Sequence, residues 1–329
     1  MALHNPSVTP ENPTTKSRIE TRPNPHDRLN LSRVEFHNRY TRQIEQESIY
    51  GEGFLRWTYG NPLGRLSLHA LVKRAIFSRV YGWLMDQPSS QKRVRPFIDR
   101  FQLKESEFLD PVSDFKSFNE FFFRKLKPSA RPIHADDTVV TFPADGRHLA
   151  FQDFSRCPGI FAKGQVFTLA ELIQSESLAQ TYSRGALVIS RLCPVDYHRF
   201  HFPTAGYASA HQLIQGPLQS VNPIALAQNI RILSTNRRCL TELSTPNLGK
   251  VLMIEVGATC VGGFVYTFKP NSEISKGDEK GYFRFGGSLT MTLFEPGRVQ
   301  LDADLLENTQ RGLETYAIMG DRLGQASPR

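Results

Sequence analysis

Cysteine is scarce in this chain: 329 residues carry four, at Cys157, Cys193, Cys239 and Cys260, and no two stand at C-x-x-C spacing. Scattered single thiols argue against a dense disulfide framework and a cysteine-built zinc site, and they fit a reducing compartment. No apolar run approaches the roughly 20 residues that a membrane-spanning helix needs, so any membrane contact is expected to be peripheral. The opening Met-Ala-Leu-His-Asn-Pro lacks the charged-then-apolar order of a secretion signal. Internal repeats, low-complexity tracts and a glycine-rich phosphate loop leading into a helix are also missing, which weakens a nucleotide-binding reading. The cations are not interleaved with aromatics in a recognisable module, so no nucleic-acid partner is expected.

What is present is an ordinary globular composition, 40% hydrophobic and 22% charged, with a net charge of +8. The positive balance favours an anionic partner without choosing among nucleic acid, an acidic lipid surface and a small acid. Residues 1–30 are rich in Pro, Asn, Thr and Arg and read as a disordered segment. Over 64–85, Leu66, Leu68, Leu71, Val72, Ile76, Val80, Tyr81 and Leu84 recur at mostly helical spacing, with Arg65, Lys73, Arg74 and Arg79 between them. Such a helix suits an anionic membrane surface, and it equally suits packing against its own domain. The stretch 113–127 opens with Ser and Asp before an aromatic run and predicts a capped helix, which Pro128 and Pro132 end. After about Val139, short apolar runs broken by Gly and Pro predict strands. The expected class is α+β: a mainly helical 31–138 with a membrane-docking segment, then a β-rich catalytic domain over 139–329.

Three places could carry chemistry. Gly286-Gly287-Ser288 lies between an aromatic run and an apolar one, and its local pattern alone reads as a β-hairpin or bulge with an incidental serine. His198 and His201, three apart, cannot share one face of a regular strand, so a loop or helical turn is expected to present them. Their spacing could suit a metal, but no Glu follows in the zincin order and no third ligand is near, so no metal is expected. Phe142-Pro-Ala-Asp145-Gly146 reads as a turn that exposes a carboxylate. Together, Asp145, His201 and Ser288 could form a relay in which the carboxylate orients an imidazole that takes the serine proton. The Gly-x-Ser-x-Gly elbow of an α/β-hydrolase is missing, and the neighbouring Gly287 carbonyl is a credible target for the serine oxygen.

Five blocks resemble phosphatidylserine decarboxylase proenzymes, in that family's order. They are Phe-Phe-Phe-Arg-Lys-Leu-Lys-Pro-Ser-Ala-Arg-Pro-Ile (121–133), Pro-Ala-Asp-Gly (143–146), Pro-Val-Asp-Tyr-His-Arg-Phe-His (194–201), Val-Gly-Ala (256–258) and Lys-Gly-Asp-Glu-Lys-Gly-Tyr-Phe-Arg-Phe-Gly-Gly-Ser (276–288). The resemblance runs from about residue 35 to the C-terminus. It implies self-cleavage between Gly287 and Ser288 into a long and a short chain, with Asp145, His201 and Ser288 as the cleavage triad. It further implies a covalent pyruvoyl cofactor derived from Ser288, whose ketone forms a Schiff base with phosphatidylserine, and His198 as the proton donor of the decarboxylation. Phosphatidylethanolamine is the implied product. An anionic membrane surface, at the cytoplasmic side of the cell membrane, is the implied location, and a homodimer is expected from the resemblance alone.

One departure stands out: Leu289 follows Ser288 where the family usually has Thr. It keeps two other readings open, an unprocessed lipid-binding homologue and a serine hydrolase acting on an external ester. Lys163, Asn222, Asn236 and Arg237 lie in family-like stretches and read as structural turns.

Overall fold

In a computed structural model of the chain, residues 34–47, 53, 75–156, 167–258, 263–286 and 288–328 are described. The segment 1–30, residues 64–74 of the expected basic helix, Lys163 and Gly287 lie outside them.

The first strands are β1 Glu35–Asn38, β2 Gln43–Gln46, β3 Val139–Thr141, β4 Gly146–Phe151, β5 Leu187–Leu192, β6 Arg199–His201, β7 Gly206–Ala208 and β8 Gln212–Ile214. They are followed by β9 Arg238–Thr245, β10 Gly249–Gly257, β11 Phe264–Tyr266, β12 Ser272–Ile274, β13 Glu279–Phe283, β14 Ser288–Phe294, β15 Val299–Leu301, β16 Glu314–Ala317 and β17 Arg322–Ala326. An 11-stranded sheet runs β12-β7-β9-β10-β14-β5-β4-β16-β1-β2, with β8 also on β9. Two three-stranded sheets, β11-β13-β6 and β15-β17-β3, complete the β structure among the described residues. The 31–138 stretch, expected to be mainly helical, also supplies β1 and β2, and β1 joins the large sheet in parallel to β16.

The pleat of β14 explains how the large sheet is covered. Successive side chains point to opposite faces, so Leu289, Met291 and Leu293 enter one core with Leu252, Ile254 and Val256 of β10. Short helices over 169–182 and 223–235 close that face, carrying Leu172, Ile173, Ile224 and Leu233 into it. Ser288, Thr290 and Thr292 point the other way, towards the side where Phe200 and Phe283 of the small sheet are buried. Leu289 is therefore a core residue. Its side chain lies on the face opposite the Ser288 hydroxyl, fully buried.

The N-terminal layer is built from α1 Ala75–Asp86, α2 Val94–Phe101 and α3 Phe118–Phe122. Its core is aromatic: Phe97, Phe108, Phe115, Phe118, Phe121 and Phe122 pack with Phe285 from just before β14. The cap expected near Ser113 falls at Ser117, whose side chain accepts from the Glu120 N–H, because residues 112–114 form a separate single turn.

Two local expectations change. The Gly286-Gly287-Ser288 segment does not close a hairpin: β13 pairs with β11 and β6, whereas β14 pairs with β10 and β5. The segment crosses between sheets, and Gly286 takes φ +142°, a region that a side chain disfavours. The turn carrying Asp145 does not expose its carboxylate either, since Asp145 is only 1% exposed.

Candidate active site

Ser288 opens β14 between Leu192 of β5 and Gly257 of β10, and it is completely buried. Its Oγ lies 3.1 Å from Nδ1 of His198, which sits in the loop just before β6. The other ring nitrogen, Nε2, is 2.9 Å from the Cys193 carbonyl. A carbonyl can only accept, so Nε2 carries the proton and Nδ1 presents its lone pair to the serine hydroxyl. Phe122 stacks on the imidazole with ring centroids 3.8 Å apart. Burial first, and the positive charge of Arg124 second, push the His198 pKa down to about 3, so the ring is neutral near pH 7.

The carbonyl facing Nε2 is itself fixed. Asp196 accepts from the Cys193 N–H at 2.6 Å through its carboxylate, and its own N–H donates back to the Cys193 carbonyl at 2.9 Å. Arg147 NH1 holds both oxygens of that carboxylate at 2.7 and 2.6 Å. Sequence reasoning missed this brace. Its only signals were an Asp two residues before His198 and an Arg two residues after Asp145.

Asp145 and His201 are positioned differently from Ser288. Arg131 grips Asp145 from Nε and NH2, the shortest contact 2.6 Å, while the Met319 N–H donates to Oδ1 at 2.8 Å. His201 ends β6, with Nδ1 2.9 Å from the Gly277 carbonyl and Nε2 3.3 Å from the Tyr197 hydroxyl. By the same logic, Nδ1 is the donor and Nε2 the acceptor. Burial lowers the His201 pKa as well. The structure thus joins His198 to Ser288. His201 reaches the neighbourhood of Asp145 through backbone, its N–H donating to Pro143 O at 2.7 Å, and through Tyr197, which feels the Asp145 charge.

Two of the four turn residues, Asn222 and Asn236, have clear structural parts. Asn222 caps a short helix by accepting from the Ile224 N–H at 3.0 Å. Asn236, fully buried, donates to the Gln219 and Gly257 carbonyls at 2.8 Å each. The latter fixes the end of β10 opposite Ser288.

Burial lowers the pKa of three imidazoles, His148, His198 and His201, and the two most deeply buried give the fold a defined acid response. His148, whose pKa burial also pushes to about 3, joins His198 in this. Between 6.5, the ordinary value, and about 3, the unfolded chain binds protons that the native chain refuses. The contribution of these two histidines to stability is therefore present above pH 6.5 and is lost as pH falls towards 3. Urea unfolding between pH 7 and 5 is expected to lose about 1.4 kcal/mol per histidine for each unit below 6.5; an unchanged midpoint would refute the assignment.

The family model described as phosphatidylserine decarboxylase matches residues 118–325, which include Asn119, Asp145, His198, His201 and Ser288. A phosphatidylserine decarboxylase proenzyme from Fusobacterium nucleatum subsp. nucleatum is 43% identical over 296 residues, covering 90% of this chain and 99% of its own length. Proteins of the same description from Clostridium beijerinckii and Desulfitobacterium hafniense strain Y51 are 40% and 39% identical, each covering 88% of this chain and 98% of its own. With a family match over more than half its length and such relatives along most of it, the chain belongs to the phosphatidylserine decarboxylase family.

Proposed function

We propose that the chain is a carboxy-lyase that converts phosphatidylserine to phosphatidylethanolamine with a keto group it makes from its own Ser288. The observation that carries this reading is the buried contact between Ser288 Oγ and the neutral Nδ1 of His198. A sealed hydroxyl suits a first reaction with its own backbone better than with an external ester. This favours self-processing over the serine-hydrolase alternative.

In the first stage the Ser288 oxygen attacks the Gly287 carbonyl, and the amide becomes an ester. Elimination of that ester releases the long chain as a carboxylate, and water then removes the nitrogen of residue 288 as ammonia. Asp145 and His201 are proposed for this stage on the family resemblance. What supports His201 is its lone pair on Nε2, and what its role requires is a shift that frees that nitrogen from Tyr197 and Asp145 from Arg131.

A keto cap fits position 288. Residue 288 is completely buried, so an ammonium there would be a charge taken out of water, whereas a ketone is neutral. Once present, the group supplies an electron sink for the bond that releases carbon dioxide. The surrounding chain then works as follows. Pairing of β14 with β10 and β5 holds residue 288 in place, Phe122 fixes the plane of His198, and His198 handles a proton beside the reacting atoms.

The substrate's acyl tails stay in a bilayer, so the protein must dock on it. Among the described residues no helix is long and apolar enough to cross a membrane. At the end of α1, Val80, Trp83 and Leu84 share one face and are 53%, 60% and 44% exposed, while Met85 turns into the core. This face is the proposed docking surface. Trp83→Glu with Leu84→Glu is expected to weaken binding to phosphatidylserine vesicles by at least about tenfold, since each buried apolar side chain contributes about 1.5–3 kcal/mol. Unchanged co-sedimentation would remove α1 from the docking surface.

The test of the proposed function is the intact mass of the purified protein under denaturing conditions. Two chains meeting between residues 287 and 288, with a keto cap on the shorter, support it. One unmodified chain that turns over phosphatidylserine defeats it.

A further inference from the structure

The bond proposed to break lies between two anchors. On one side, Ser288 is locked into β14 by both neighbouring strands. On the other, Arg284 and Phe285 leave the small sheet and are held by the N-terminal layer. Asn119, completely buried in α3, accepts the Phe285 N–H on Oδ1 at 2.8 Å. Its Nδ2 donates to Asp86 Oδ1 at 2.8 Å, at the last residue of α1. The other Asp86 oxygen meets Arg284 at 3.2 Å. The Phe285 ring is packed by Phe118 and Phe122, with centroids 5.1 and 4.9 Å away, and stacks on Tyr81 at 5.7 Å.

We infer that Asn119 is a positioning residue for self-cleavage: with Asp86 on its other side, it fixes the backbone at Phe285, two residues before the bond proposed to break. The inference rests on the self-processing reading. Its chemical logic is one of polarity. The backbone of residue 285 offers a donor and Asp86 offers only acceptors, so the residue between them must accept on one side and donate on the other. An amide does this, and neither a carboxylate nor an alkyl group can. The two residues between this anchor and Ser288 are glycines, which impose no direction of their own. The Asn119 anchor therefore supplies what the glycines lack.

The experiment measures cleavage of freshly synthesised chain over time, together with thermal melting and the decarboxylation kcat per mole of keto group. Asn119→Ala is expected to slow cleavage about 10- to 100-fold, the range for small misplacements of reacting atoms, while kcat per keto group stays at the unsubstituted value. A merely structural role would lower melting and kcat along with cleavage. Asn119→Asp keeps the acceptor for Phe285 but sets two carboxylates together, so it should also be slow. Adding Asp86→Asn restores a donor between them and should recover cleavage. Should the alanine variant not fold, this exchange decides alone: slow cleavage rescued by the second substitution supports the inference. Cleavage at the unsubstituted rate in Asn119→Ala or Asn119→Asp overturns it, as does a slow Asn119→Asp that the second change fails to rescue. An unsubstituted chain that is never cut would instead defeat the self-processing reading.

Discussion

Ser288→Ala is expected to leave one polypeptide of 329 residues, free of any keto group and inactive towards phosphatidylserine. The substitution removes a single oxygen. Alanine occupies the same strand position, keeps its pairing to Leu192 and Gly257, and fits a site already closed to solvent. The lost hydrogen bond to His198 costs about 1 kcal/mol, too little to unfold a domain of this size. Loss of activity therefore reports chemistry and not folding. The expected fall is at least about 10⁶-fold, since without the oxygen neither the cut nor the electron sink exists. Intact mass and carbon dioxide release check it. A Ser288→Ala chain that still separates into two pieces, or still decarboxylates, would sink the mechanism.

Much of the architecture could be read beforehand because it depends on patterns that survive in one dimension. The switch to short apolar runs after Val139 reports strands buried on both faces, as β5 and β14 are. The segment before Ser288 was harder. Two strand-like runs around Gly-Gly look like a hairpin, and only the partners of β13 and β14, which are distant in sequence, reveal a crossing between sheets. Asp145 was misjudged in exposure for a similar reason. A Pro-Ala-Asp-Gly turn is polar locally, yet Arg131 arrives from another segment to neutralise the carboxylate and allow its burial. Asn119 and Asp196 had no periodic signal at all. Their importance lies in backbone groups they bind, Phe285 N–H and Cys193 N–H, which no side-chain pattern records.

The same limit explains why the two histidines could not be ranked from spacing. His198 and His201 both hold a neutral imidazole with one unprotonated nitrogen, but that of His198 meets Ser288 and that of His201 meets Tyr197. Separate substitution to glutamine assigns their roles, because glutamine keeps a hydrogen-bonding amide and loses the proton-accepting ring. His198→Gln is expected to cut decarboxylation by about 10²- to 10⁴-fold, the usual worth of a positioned acid or base. The mass of that inactive protein then locates the step. A cut chain with its keto cap means that His198 acts after cleavage, and a whole chain means that Nδ1 takes the serine proton at the start. His201→Gln is expected to stay whole over the hours in which the unsubstituted chain is fully cut. Its normal cleavage would remove His201 from the first stage. Arg131→Gln sharpens the comparison, since releasing Asp145 from its ion pair should speed cleavage only if that carboxylate must turn towards His201. The distinction matters physically. One imidazole already meets the Ser288 hydroxyl, and the role proposed for the other requires a rearrangement that releases Asp145 from a buried ion pair.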